Sequence, residues 1–523
     1  MHRALNRSAA LSRLGCRTFT QRPPLRMFPL SASAPISSPA RRTQQITAHL
    51  QPLSRTMSSK TLDFNRSNSQ TEVLQHKHDG GRVFILNRPS ALNALNLNMV
   101  ESMAPQLQAW DRSDICNVIM LKSSSPRAFC AGGDVKRVVD LAKERNDQFA
   151  QFFEKEYQLN YLIASVETPV VALIDGITMG GGVGLSVHAP FRVATERTMF
   201  AMPETAIGLF PDVGGSYFLP RLDGSIGRYL GLTGDRLQGK SVFWAGIATH
   251  YVPSARLPAL EARLCELESK DVTIVNQAIE EFSDEAANLR DPTEFSLFPY
   301  RQAIDRCFHH DTVEEIVAAL EREVAKPSQT DIARAADVQA WAQKTLKTLQ
   351  SVSPTSLKVT LELLKAGARK SLKECLQLEY KAVQNVAQSH DFIEGVTKTL
   401  VTRNKDSIQW KPATLTELSD VDVINAYFRG NGKELEFLTT APWNSPSLPA
   451  AIGDYGRPQF TLPAEREVIS LIGKSSLCMT VEEVLDYFQS KYSGKIGLDT
   501  KVEMVLATKC RVDGKSQTVS LRD

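Results

Sequence analysis

No stretch of this 523-residue chain stays apolar for the ~18 residues a membrane-spanning helix needs, so a spanning segment is not expected. The eight cysteines (Cys16, Cys116, Cys130, Cys265, Cys307, Cys375, Cys478, Cys510) include no C-x-x-C pair, and none has a histidine at metal-ligand spacing. That argues against a disulfide scaffold or a metal site, and for buried thiols in a reducing compartment. Acidic residues are missing altogether from positions 1–62, which hold nine Arg and one Lys. Of the +3 net charge, +10 therefore falls in those 62 residues and −7 in the remainder. A body of that sign is not expected to bind nucleic acid directly.

The first 62 residues also lack the continuous apolar core of a secretory signal. They are rich in Ser, Thr, Gln and Pro, and Met1 to Arg7 can wind with Arg on one side. That composition reads as a mitochondrial transit peptide or disordered leader over 1–62, which would deliver the chain to the matrix; Met57 could serve as an internal start that removes it. The rest is 42% apolar and 23% charged on the whole-chain count, the ordinary balance of a globular enzyme.

From Thr71 short apolar strands alternate with helices. Thr71–Lys77 and Gly81–Asn87, around Asp79-Gly80-Gly81, predict a β-hairpin. Leu95, Met99, Met103 and Leu107 give Ala94–Trp110 helical spacing, and Asn117–Lys122 and Val170–Ile174 predict buried strands. The alternation implies an α/β sheet with parallel members. Beyond about Asp223 amphipathic helices dominate, at Pro258–Lys270, Thr312–Ala325, Asp331–Leu349 and Leu372–Gln388. Five prolines in 438–463 (Pro442, Pro446, Pro449, Pro458, Pro463) predict a linker or strapped loop. A small unit follows, with a capped helix from Thr480 to about Tyr492 and a strand over Val502–Ala507.

Three glycine-rich segments follow predicted strands. Phe129-Cys130-Ala131-Gly132-Gly133-Asp134 and Gly176 to Gly184 each bring bare N–H groups to the start of a helix. Two such groups converging on one point make an oxyanion hole. In the third, Met202 to Gly215, Glu204 and Asp212 are carboxylates with Gly208 and Pro211 between them. A chain bent there brings them together in an apolar loop, an arrangement suited to acid and base work. Glu156 lies at i+3 from Phe153 and i+7 from Phe149, on the apolar stripe of its helix, and needs a partner; an Arg or Lys across a helix contact is the structural alternative. Gly234 to Ser241 fits the P-loop pattern letter for letter, but a helix rather than a strand precedes it, so the match is rejected. His188, in an apolar run, reads as a core histidine.

In order, Asn87-Arg88-Pro89 with Ala91 to Leu95, Phe129 to Asp134, Ile174 to Gly184, and Met202 to Gly215 resemble the crotonase (enoyl-CoA hydratase/isomerase) superfamily. Ile177 to His188, Phe200 to Gly215 and Ala245 to His250 resemble its 3-hydroxyisobutyryl-CoA hydrolase branch. The resemblance implies an α/β crotonase-like ββα superhelix core over 70–300, a helical lobe over 301–437 and an extension, with linker, over 438–523. It implies Gly133 and Gly181 as oxyanion-hole donors, Glu204 and Asp212 as catalytic residues, and Glu156, Gly181, Glu204 and Asp212 as substrate contacts. The implied reaction is hydrolysis of 3-hydroxyisobutyryl-CoA, and by extension 3-hydroxypropionyl-CoA, in valine degradation, without a cofactor. A hydratase of the superfamily places a catalytic Glu two residues after its triple glycine; Gly184 stands there instead, which disfavours hydration and isomerisation. Relatives of the branch serve in the mitochondrial small ribosomal subunit, so a structural role, with 438–523 as docking element, is the alternative. The superfamily forms trimers or pairs of trimers, and the longer lobe of this branch could cover that surface, which leaves a homo-oligomer open.

Overall fold

The computed structural model describes residues 71–144, 148–283, 289–326, 335–429, 432–438, 460–474 and 479–522. The leader at 1–62, with Cys16 and Met57, lies outside the described residues, as do Cys478 and most of the proline-rich segment.

Strands β1 (Val73–His78) and β2 (Gly81–Leu86) form the expected hairpin, pairing from Val73 with Leu86 to His78 with Gly81. Asp79, at φ 43°, takes the left-handed turn position that a short polar side chain tolerates. The helix Leu97–Asp111 follows. Asn96 caps it by accepting from Met99 N, and Met99, Val100, Met103, Leu107 and Trp110 form its buried face.

From there the chain winds between two sheets. Strand β3 (Val118–Ser123) joins the first sheet beside β2, and β4 (Ala128–Cys130) starts the second. Helices Val135–Lys143 and Gln148–Ser165 lead back to β5 (Val170–Ile174) in the first sheet, then β6 (Ile177–Met179) in the second. The one-turn helix Gly181–Gly184 returns the chain to β7 (Phe191–Ala194), and β8 (Met199–Ala201) again lies in the second sheet. Strands β9 (Leu237–Gln238) and β10 (His250–Tyr251) complete the sheets, in the orders β1-β2-β3-β5-β7-β10 and β4-β6-β8-β9. Apart from the hairpin and the β8–β9 pair, neighbours run parallel. This is the two-sheet, helix-returning superhelix of the expected α/β class. Parallel strands buried on both faces explain the continuous apolar runs of β3 and β5.

Helices then dominate, among them Val313–Ala325, Ala335–Ser351, Pro354–Gly367 and Leu372–Val386. The segment expected to be helical from Pro258 to Lys270 is helical over Leu257–Cys265. Gly234 caps the helix Ile226–Thr233, and Lys240 Nζ meets Glu294 Oε2 at 2.6 Å, so the P-loop look-alike is a helix end with its lysine paired.

Residues 460–522 build a unit with a core of its own, including Val484, Phe488, Tyr492, Val502, Val505 and Val519. The capping box at Thr480 and Glu483 starts Val481–Lys491 as expected. The strand expected over Val502–Ala507 is instead part of the helix Leu498–Lys509, and strand structure begins only at Cys510–Val512. Its short apolar run fits either periodicity; burial against the unit's own helices selects the helix. Buried ion pairs fasten this unit to the rest of the fold. Lys501 meets Asp223 at 2.5 Å, Lys495 meets Glu280 at 2.8 Å and Glu465 meets Arg301 at 2.7 Å.

Candidate active site

The two glycine turns meet. Around Gly133, Leu95 N donates to Gly132 O and Asp134 N donates to Leu95 O, which leaves the Gly133 N–H outside the ladder. Gly181 opens a helix, where the first amides have no partner within the helix. A Cβ placed on Gly181 would stand 3.2 Å from Gly133 N and collide with Glu156 Oε1. A Cβ on Gly180 would come within 2.9 Å of Glu204 Oε1. Bare backbone is thus required where the turns approach each other and the carboxyl groups.

Glu156 projects from Gln148–Ser165 and is 2% exposed; Glu204, 5% exposed, opens the single turn Glu204–Ile207. Gly208, at φ 74°, ends that turn, packed too closely on the backbone of Asp391 and Phe392 for any side chain. The chain then bends back to Asp212, 4% exposed, which accepts from Tyr157 OH at 2.8 Å. Burial pushes Glu156 and Glu204 well above the usual carboxylate range, and the Asp212 charge pushes both further. Burial likewise raises Asp212 to about 6 against the Tyr157 hydrogen bond. The cation considered for Glu156 is replaced by acids: the charges that act on it are those of Asp212 and Glu204, and its Oε1 has no hydrogen-bond partner among the described residues.

Three residues that the sequence reading passed over complete the surroundings. Tyr157 fixes Asp212. Glu379 accepts from Gly214 N (2.7 Å), Ser216 N (2.8 Å) and Ser216 Oγ (2.5 Å), clamping the turn after Asp212. In that turn Val213 sits at φ 50°, a conformation that costs a β-branched residue ~1–3 kcal/mol. His188 Nε2 donates to Val213 O at 2.7 Å, and burial lowers its pKa to about 4, as befits a core histidine. Asn160 lies one helical turn beyond Glu156. Its amide fills the space beside Gly184, where a Cβ would stand 2.7 Å from Val213 Cβ and 2.9 Å from Asn160 Nδ2. The Glu379 signal was present in the sequence, because it occupies the buried stripe of Leu372, Cys375, Leu376, Tyr380 and Val383.

The enoyl-CoA hydratase/isomerase family model matches residues 81–428, and the chain belongs to this family, the crotonases. Within it, the chain is 43% identical to the mitochondrial 3-hydroxyisobutyryl-CoA hydrolase of Homo sapiens over 397 residues, 76% of this chain and 96% of that one. It is 40% identical to the small ribosomal subunit protein mS47 of Neurospora crassa over 518 residues, 95% of this chain and 94% of that one. Among solved structures, a carnitinyl-CoA dehydratase from Mycobacterium thermoresistibile superposes with a TM-score of 0.61 at 35% identity, covering 70% of this chain and 99% of that one. An enoyl-CoA hydratase from Rhodobacter sphaeroides gives 0.59 at 34%, over 68% and 97%.

Proposed function

We propose that this protein hydrolyses a small 3-hydroxyacyl-CoA thioester, with 3-hydroxyisobutyryl-CoA as the preferred substrate, and that the same polypeptide serves in the mitochondrial small ribosomal subunit. The observation that carries the hydrolase reading is the pair of amides, Gly133 and Gly181, uncommitted among the described residues, beside the carboxyl groups of Glu204 and Glu156. The thioester oxygen would sit between the amides, each worth ~3 kcal/mol as the oxygen gains charge. Glu204, as carboxylate, either attacks the carbonyl carbon to give an anhydride that water opens, or takes a proton from a water that attacks directly. Both routes consume one water and release the acid and the CoA thiol. Asp212, held by Tyr157, positions Glu204. Hydration is disfavoured because a glutamate at position 184 would have no room between Val213 and Asn160.

Free-thiol release from 3-hydroxyisobutyryl-, 3-hydroxypropionyl- and crotonyl-CoA, together with crotonyl-CoA hydration, tests this reading. The first two should release thiol and crotonyl-CoA should stay unhydrated. Glu204→Gln should abolish release while CoA-ester binding survives; normal turnover in that variant would refute the mechanism.

The ribosomal reading ranks second on the sequence alone, but it has the broader support for the chain as a whole. Similarity to mS47 extends over 95% of the residues, too many to omit the 460–522 unit, whereas the human hydrolase leaves out about a quarter. The human hydrolase carries a mitochondrial name, which supports a mitochondrial location. Cosedimentation with mitochondrial ribosomes, with and without residues 438–523, tests it. Absence of the full chain from the small-subunit fraction would end it.

A further inference from the structure

The mechanism leaves one polar side chain near the carboxyl cluster without an assignment. Asn160 is 0% exposed, yet neither Nδ2 nor Oδ1 has a hydrogen-bond partner among the described residues. A buried amide left in this state costs ~1–3 kcal/mol per unmet group, and native folds rarely keep one without a use. Four residues after Glu156 on the same helix, Asn160 shares the face that Glu156 turns toward the oxyanion turns. Its amide lies 2.9 Å (Nδ2) and 3.0 Å (Oδ1) from where a Cβ on Gly184 would project. The amide therefore sits at the last residue of the short helix whose first residue, Gly181, offers its N–H to the carbonyl site.

We propose that Asn160 recognises the 3-hydroxyl of the acyl group and so sets the preference for 3-hydroxyacyl over plain acyl thioesters. The proposal deepens the hydrolase reading and rests on it. Gly181 and Gly184 are ~4.5 Å apart along the helix axis. A hydroxyl on C3 is three bonds from the carbonyl carbon, within about 4 Å of it, so an acyl group whose oxygen is held at Gly181 brings its hydroxyl to the Gly184 end. A primary amide both donates and accepts, and of the groups on a short acyl chain only a hydroxyl does the same. Asp212 holds one carboxyl oxygen on Tyr157 OH and serves Glu204, and Glu156 Oε1 lies against Gly181 at the carbonyl end. Asn160 is thus a specificity residue, distinct from the groups that act on the thioester.

Ketone analogues of the CoA ester, with a methylene in place of the thioester sulfur, keep the carbonyl and cannot be hydrolysed. Calorimetric titration of the full chain with analogues bearing or lacking the 3-hydroxyl reads the preference directly. The parent should bind the hydroxylated analogue about 10- to 100-fold more tightly. Asn160→Leu, close in shape, should reduce that ratio to about one with the plain analogue bound as before, and Asn160→Asp should retain part of it. Equal weakening of both analogues, a ratio unchanged in Asn160→Leu, or no preference in the parent would each overturn the proposal. A parent that prefers the hydroxylated analogue yet fails the thiol-release assay would refute hydrolysis while leaving this recognition standing.

Discussion

Glu204 and Asp212 are acids in an interior that gives them no cation among the described residues, so their protonation governs what the site can do. Catalysis needs Glu204 as carboxylate, and the Asp212 charge adds to burial in raising the Glu204 pKa. Activity should therefore climb with pH above the ordinary carboxylate range, through the raised pKa of Glu204, and then level off. Asp212→Asn should move that limb in a kcat/KM profile; an unshifted limb would assign it elsewhere. Stability should run the other way. A carboxyl with a raised folded-state pKa favours the fold below its ordinary value near 4.5, and that contribution is lost as pH rises through the raised one. Glu204→Gln should accordingly melt higher than the parent at pH 8, with the gap narrowing toward pH 5, as differential scanning calorimetry can measure. Glu156 was readable as buried from its place on an apolar stripe. That its company would be acidic came only from the family resemblance, because the neighbours come from turns far away in the chain.

The short elements around the site were the harder ones to read. The hairpin, β5 and the capped helix at Thr480 follow from alternation, apolar runs and capping residues, all local signals. Val213 in a left-handed conformation has no such signal, since a valine disfavours it; the turn is held by Glu379, which arrives from a helix over 160 residues later. Glu379→Gln removes an acceptor from at least one of three donors, at ~1–3 kcal/mol, and should release the strain in Val213. The expected result is a kcat loss exceeding any change in KM, together with a lower denaturation midpoint. Burial pushes Glu379 up to about 8 in spite of those donors, a further cost that the turn evidently requires. Val502–Ala507 shows the same limit from another side, because six apolar-rich residues do not distinguish helix from strand until the packing surface is known.

Across the whole molecule, the prolines of 438–463 lead to the expectation of a linker and small extension, and give no sign of the charge pairs that tie the extension to the fold. Lys495 and Lys501 are almost wholly buried and reach Glu280 and Asp223, contacts spanning more than 200 residues of sequence. Breaking one buried pair typically costs ~3–5 kcal/mol, because the surviving charge is left in the interior. Lys501→Met should lower stability by about that much in chemical denaturation, and adding Asp223→Asn should restore part of it. A full loss with no recovery would mean that Lys501 acts through Trp244 O, its other contact. For the same reason, a chain cut before 460 that fails to reach the ribosome is informative only if it still releases thiol. The order of synthesis gives this clasp a further meaning. Asp223 and Glu280 leave the translating ribosome long before residues 495 and 501, so the nascent sheet domain carries both carboxylates without their lysines until the last eighth of the chain is made. A transcript with a late stop codon would therefore yield a protein that is nearly complete in length yet lacks both lysine contacts.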